Sequence, residues 1–289
     1  MSNFHDALDN TKAFKKFKVD DLLFVEYKCF DEGIATELWT HNNFFSFILK
    51  GKMLWRTGEQ ELLVKKGQSF FVKKGAIKVQ TFYKEDFCEL IVFVPDEFIK
   101  GVIDKYKIFC KASDGTTKKD SIFPLQSEKV LTAYFDSLLS HFAQKKPPLE
   151  SLLKLKFEEL IINIVSNEKN IAVINHFKRL CEHSKMHIRE IMETNYTSNL
   201  SLKDLARLCG RSLSTFKRDF SKTFGTTPGS WLINKRLEFA RHLLETTDKN
   251  IYEIILDSGF KDRSHFIRKF KNEFGTSPLK YRDKRKTKK

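Results

Sequence analysis

No two cysteines of this 289-residue chain stand close enough to form a CxxC pair. The five present, Cys29, Cys88, Cys110, Cys181 and Cys209, are odd in number, which argues against a disulfide framework and against a thiolate zinc site. Reduced thiols fit a cytoplasmic protein, and that is the expected location. Long apolar runs are also missing. The longest aliphatic stretches, such as Leu90 to Val94, are far too short to span a bilayer, so no membrane partner is expected. The first eighteen residues mix charges early and lack the apolar core of a secretory signal. Polar-tipped aromatics are scarce: 3 Trp and 7 Tyr stand against 28 Phe. Phenylalanine has no polar tip, which assigns most of these rings to packed cores rather than to a recognition surface.

Positive charge is in excess, and it is unevenly placed. The formal net charge is +15, and residues 187–289 hold 23 Lys/Arg against 12 Asp/Glu. Most of the surplus therefore sits in the C-terminal third. A concentrated basic region attracts polyanions, of which DNA is the commonest. Charge alone is equally compatible with simple solubility.

The pattern of residues divides the chain. Between residues 20 and 95, short β-branched and aromatic runs alternate with glycine turns: Leu22–Tyr27, Phe44–Leu49, Lys52–Arg56, Glu61–Val64, Ser69–Val72, Lys78–Phe82 and Leu90–Val94. Short strands at such spacing predict a small barrel or sandwich. From about residue 97 the period becomes helical. Val130, Leu131, Tyr134, Phe135, Leu138, Leu139 and Phe142 define one helix, and Leu149 to Val165 a second, with Leu152, Leu155, Leu160 and Ile164 among its apolar positions. Such a pair packs on the barrel or mediates a homodimer, and the sequence leaves both open.

The C-terminal region repeats itself. Phe220, Phe224, Gly225, Thr226 and Pro228 recur, each 50 residues later, as Phe270, Phe274, Gly275, Thr276 and Pro278. Each copy has the physics of a helix-turn-helix. In the first, Ser201 and Asp204 start a helix, Gly210 permits a sharp turn, and Ser212 caps the next helix. In the second, Asn250 with Glu253, Gly259-Phe260 and Asp262 do the same. Phe216 and Phe220, then Phe266 and Phe270, mark the inward faces. Ser214, Lys217, Arg218 and Lys222 lie on the outward face of one second helix, and Arg263, Ser264, Ile267, Arg268 and Lys271 on that of the other. Reading a major groove needs such a face: Arg binds guanine edges in bidentate fashion, Ser donates or accepts, and an aliphatic side chain presses on a thymine methyl. The segment Trp231 to Leu244 is the expected helix between the copies.

This region resembles the DNA-binding domain of the AraC/XylS family of bacterial transcription regulators. The resemblance rests on Gly259-Phe260-Lys261-Asp262-Arg263-Ser264-His265-Phe266-Ile267-Arg268-Lys269-Phe270-Lys271, then Phe274-Gly275-Thr276-Ser277-Pro278 and Tyr281-Arg282. It implies double-stranded DNA and RNA polymerase as partners, activation rather than repression, and base contacts at Ser214, Lys217, Arg218, Arg263, Ser264, Ile267 and Arg268. The tail from Arg285 to Lys289 lies past the signature and is expected to be mobile and to add only nonspecific attraction. In this family a cupin-like domain often comes first. Gly67 and Gly75 match the spacing of the second cupin motif, but Lys73 and Lys78 stand where its proline and metal-ligating histidine belong. A protonated amine does not ligate a metal, so no metal, cofactor or catalytic residue is assigned. Trp39, His41, Phe47 and Trp55, with Phe45 and Phe71, are candidates to line a small-molecule pocket, and they are equally good core residues. Leu54–Gly58 through Gly67 to Pro95 also resembles the N-terminal domain of type III secretion activators in this family, which a protein partner controls. His183 and His187, near Cys181, have a spacing suited to zinc, but only Glu182 or Glu190 could complete the set, and the pair is read as a surface or structural one.

The expected fold is α+β: a cupin-like barrel with a helical pair over 1–166, a connector over 167–186, and an all-α domain over 187–289 with helix-turn-helix units at about 201–224 and 250–274. Two alternatives to a sequence-specific regulator stay open at this point. One is a metal-dependent cupin enzyme fused to a DNA-binding tail, and the other is a nonspecific DNA binder.

Overall fold

The computed structural model describes residues 2–29, 35–57, 60–81, 87–108, 120–126, 129–182 and 186–286. The chain divides into two compact units, Met1–His187 and Ile188–Lys289.

The first unit has three layers. Strands β1 (Ser2–Asn3), β2 (Lys15–Val19), β3 (Leu22–Cys29), β4 (Ala35–Thr40), β5 (Asn43–Lys50), β6 (Lys52–Thr57), β7 (Gln60–Lys65), β8 (Ser69–Val72), β9 (Gly75–Thr81), β10 (Phe87–Val94) and β11 (Ile122–Leu125) form two sheets. One is ordered β1-β4-β9-β6-β7, the other β11-β8-β5-β10-β3-β2. Pairing is antiparallel except for β1, which runs parallel to β4. Among the described residues five helices complete the unit: α1 (Phe4–Asn10), α2 (Asp96–Lys105), α3 (Lys129–Phe142), α4 (Glu150–Val165) and α5 (Ile171–Glu182).

Side-chain alternation explains why β5 and β10 read as continuous apolar runs. On β5, Phe44 and Ile48 enter the core between the sheets, while Phe45 and Phe47 enter the core under the helices. On β10, Phe87, Ile91 and Phe93 take the first direction and Leu90, Val92 and Val94 the second. Both faces are covered, so apolar residues stand in both directions, and the buried polar exceptions Ser46 and Glu89 are hydrogen-bonded to each other. Phenylalanine fills the seams. Phe47 stacks on Phe135 of α3 at 4.7 Å, Phe24 lies 3.9 Å from Phe157 of α4, and Phe71 meets Phe177 of α5 edge-on at 5.6 Å.

Three features depart from the sequence expectation. Residues assigned to a connector form α5, whose Val173, Phe177 and Leu180 belong to the helix-layer core. Strand β11 lies in a stretch expected to be helical. Its Pro124 would argue against a strand, but β11 is the edge of its sheet, where a missing N–H costs no ladder bond. On α4 the buried face is Leu153, Phe157, Leu160, Ile161 and Ile164, whereas Leu155, expected inward, is 56% exposed.

The second unit is all-helical: α6 (Met186–Asn195), α7 (Leu202–Leu208), α8 (Leu213–Phe224), α9 (Pro228–Thr246), α10 (Ile251–Asp257), α11 (Arg263–Phe274) and α12 (Pro278–Lys286). Its polar punctuation acts as capping chemistry. Ser201 with Asp204 and Asn250 with Glu253 form reciprocal capping boxes. Ser212 accepts from Thr215 N, and Asp262 from His265 N. Gly225 and Gly275 end α8 and α11 in the left-handed conformation.

Candidate nucleic-acid interface

The two recognition helices, α8 and α11, are alike down to their supports. Phe216 and Phe220 on α8, and Phe266 and Phe270 on α11, are fully buried. The repeat also extends to positions whose identities differ. Trp231 lies 6.0 Å from Phe220 and 5.2 Å from Phe224; Tyr281, its counterpart 50 residues on, lies 5.6 Å from Phe270 and 6.0 Å from Phe274. Arg189 of α6 sits over the Phe224 ring at 4.7 Å, and Arg241 of α9 over the Phe274 ring at 5.3 Å. Each unit is thus a three-helix module, with α6 or α9 as its first helix. Sequence reasoning missed these pairs because the cation–π partners come from helices outside the obvious motif.

The faces opposite the phenylalanines carry the predicted contacts. Ser214, Lys217, Arg218 and Lys222 are exposed on α8, as are Arg263, Ser264, Arg268 and Lys271 on α11. Ile267 is half-buried and packs partly against the core of the second module, so only part of its surface faces outward. No ion pair among the described residues engages Lys217, Lys222, Arg263, Arg268 or Lys271. Arg218 differs: its Nε lies 3.3 Å from Asp219 Oδ1, and Asp219 also accepts from Arg211 at 3.1 Å. Burial opposes ionisation of Asp219, but the Arg211 and Arg218 hydrogen bonds outweigh it and hold the carboxyl below its usual range. Arg218 is therefore held toward Asp219 rather than left unpaired on the exposed face. Residues 287–289 of the basic tail lie outside the described residues, as do the side chains of the two histidines near Cys181.

The two modules are tied together at one loop. Arg236 of α9 donates to Tyr196 O at 2.6 Å and Ser198 O at 2.9 Å. Between those residues, Thr197 lies against Gly259, the turn of the second module: a Cβ built on Gly259 would stand 2.4 Å from Thr197 O. Helix α9 bridges the same modules. Trp231 packs on the first, and Leu237, Ala240, Leu243 and Leu244 lie in the core of the second.

The pocket residues predicted in the first unit do not converge on one place, although Trp39 lies 6.3 Å from His41 and Phe45 4.9 Å from Phe71. Trp55 is 1% exposed in the core between the sheets, beside Phe44 and Phe70. Phe47 points from the opposite face of its sheet into the helix layer. Alternation puts Trp39 on the other face of its strand from Leu38, which packs against the inter-sheet core. Lys78, at the motif's histidine position, points to solvent and pairs with Glu37 at 2.7 Å.

Comparison with known proteins agrees with both halves of this geometry. Residues 205–284 match the model of a helix-turn-helix domain. Residues 43–176 match that of the ExsA N-terminal regulatory domain. Over 239 residues the chain is 24% identical to the virulence regulon transcriptional activator VirF of Yersinia enterocolitica, covering 81% of this chain and 87% of that one. The chain belongs to the AraC family. Another such regulator, ExsA of Pseudomonas aeruginosa, is 23% identical over 238 residues, covering 81% of this chain and 84% of its own length. The transcriptional activator NphR of a Rhodococcus species is 40% identical over 96 residues, covering 33% of this chain and 28% of that one. These relatives are transcription regulators, and no helix among the described residues is long and apolar enough to cross a membrane.

Proposed function

We propose that this AraC-family protein activates transcription by reading two successive major grooves of one promoter, α8 in one and α11 in the next, and that it recruits RNA polymerase there. The observation that carries the reading is the duplicated module: two like-built recognition helices whose exposed cations, Arg218 apart, engage in no internal ion pair among the described residues. Helix α9, with 19 residues, is about 28 Å long. That is commensurate with the roughly 34 Å between grooves on one side of a duplex. In this reading Ser214, Lys217, Arg218, Arg263, Ser264, Ile267 and Arg268 face bases, and Lys222 and Lys271 face phosphates. The first unit senses the signal. Its likeness to the ExsA regulatory domain, and the packed aromatic filling of its sheet interior, favour a protein effector over a small molecule. The cytoplasm is the compartment this role requires.

The experiment is recovery of genomic fragments by the purified protein at physiological salt. A few promoter-proximal sites sharing a directly repeated motif are expected. Uniform recovery of all fragments would leave a nonspecific DNA binder instead. Two variants test the division of roles. Arg268→Ala is expected to cost about 1–3 kcal/mol of discrimination at one base pair. Lys222→Ala should weaken cognate and random duplexes alike and lower the salt slope by about one. Equal behaviour of both variants on both duplexes, read by fluorescence anisotropy across a salt series, would contradict the assignment.

A further inference from the structure

Helix α1 carries two side chains that no part of the DNA-binding reading uses. His5 and Asp6 occupy its first turn, and the parallel pairing of Ser2 and Asn3 with Leu38 and Trp39 brings that turn beside His41, in the bend between β4 and β5. His5 Nδ1 lies 3.3 Å from Asp6 Oδ1, and His41 Nδ1 lies 3.9 Å from the same oxygen. One ligand atom from each of the three residues falls within 4.8 Å of the other two. The imidazole rings stand edge to face at 4.7 Å. A zinc ion with bonds of about 2.0–2.1 Å holds tetrahedral ligands about 3.3 Å apart; the His5–Asp6 pair already has that spacing, and the others must close from within 4.8 Å.

The surroundings suit a ligand set. His5 is 7% exposed, and its Nε2 is buried with no hydrogen-bond partner. Phe93 lies 5.0 Å from the His5 ring and Trp39 6.3 Å from the His41 ring, giving the cluster an apolar wall. Asn3 Nδ2 stands 3.2 Å from His41 Nδ1, and its Oδ1 accepts from Asp6 N, so the residue that caps the helix also positions the second imidazole.

We propose that His5, Asp6 and His41 form a divalent transition-metal site of zinc type, which fastens α1 to the β4–β5 bend. Two imidazoles and a carboxylate suit zinc and its neighbours rather than calcium or magnesium, and three protein ligands leave a fourth position for water. Where the cation ligates His41 Nδ1, it takes the place of the Asn3 amide. The set lies outside the positions Lys73 and Lys78 at which the second cupin motif would place its residues, and it requires a residue pair from the N-terminal helix.

The test uses the untagged full-length protein, stripped with chelator and titrated with Co2+ as an optical probe. Saturable binding at one equivalent, with visible ligand-field bands displaced by Zn2+ and a raised Tm for the first unit, is expected. His41→Ala should abolish it. Asp6→Asn, which preserves shape at a partly exposed position, should weaken Co2+ at least tenfold with unchanged circular dichroism. His183→Ala, in the other histidine cluster, should leave binding intact. Absence of stoichiometric binding by the wild type, retention of wild-type affinity in Asp6→Asn, or loss of binding only in His183→Ala would each overturn the proposal.

Discussion

Gly259→Ala is expected to destabilise the DNA-binding unit by about 3 kcal/mol or more, whereas Gly210→Ala and Gly225→Ala should cost only about 1–2 kcal/mol each. All three glycines have positive φ, +83°, +62° and +68°, so each substitution incurs the left-handed penalty of an L residue. Only at Gly259 is a second penalty added. The new methyl would meet the backbone of Thr197 at 2.4 Å, while nothing lies within 4 Å at Gly210 or Gly225. Backbone cannot rotate away as a side-chain tip does, and Arg236 holds both flanking carbonyls in place. The clash must be relieved by moving the loop or by shifting the turn that aims α11. Native-state hydrogen exchange on the full chain checks this: the most protected amides of α10 and α11 should exchange roughly a hundredfold faster in Gly259→Ala. Specific DNA affinity should fall with them, because the loop sets α11 relative to α8. Equal effects of the three substitutions would mean that the approach to Thr197 carries no energy.

The second large effect concerns pH. Glu89 of β10 is fully buried, and burial raises its pKa from 4.5 to about 8 against the hydrogen bond donated by the Ser46 hydroxyl to Oε2. Its Oε1 has no partner. Below about pH 4.5 the carboxyl is neutral whether the chain is folded or not. Between 4.5 and 8 the folded chain retains a proton that the unfolded chain has released. Stability therefore falls as pH rises through that window and levels off above 8, by a total on the order of 5 kcal/mol. Glu89→Gln stays neutral throughout. Its stability relative to wild type should rise steadily from pH 5 to pH 8, read from thermal melts of the first unit at several pH values. Parallel pH profiles of the two proteins would rule out Glu89 as the source of the slope.

Much of the second unit was legible because its signals are local. Helix caps act over three residues, glycine turns over one, and the Phe-Gly-Thr-x-Pro exit recurs at a constant offset. Duplication removed the ambiguity that a single amphipathic pair leaves. The correspondence of Trp231 with Tyr281 is not legible in the sequence because a repeat of role need not be a repeat of identity: each puts an aromatic ring on the equivalent pair of phenylalanines. In the first unit most strands between residues 22 and 94 were readable from alternation and turns. Strand β2 was not, since its Lys-Lys-Phe-Lys-Val run carries too little apolar pattern, and β11 was obscured by Pro124. The pocket prediction grouped Phe47 with Trp55 because both are large and apolar, and one residue of register on β5 is enough to send Phe47 to the other core.

The sequence by itself determined the family, the two-unit division, the helix-turn-helix repeat and the identity of its outward cations. Each of these follows from interactions between residues close along the chain, or from a repeat that displays itself. Only the tertiary structure decided that Gly259 is a point of close approach as well as a turn, that Arg218 shares its charge with Asp219, and that residues 171–182 are a core helix. It alone brought His5 and Asp6 to His41 and buried Glu89 between two sheets. Those outcomes depend on contacts across tens of residues and on which face of a strand or helix is covered, and neither is written in local spacing.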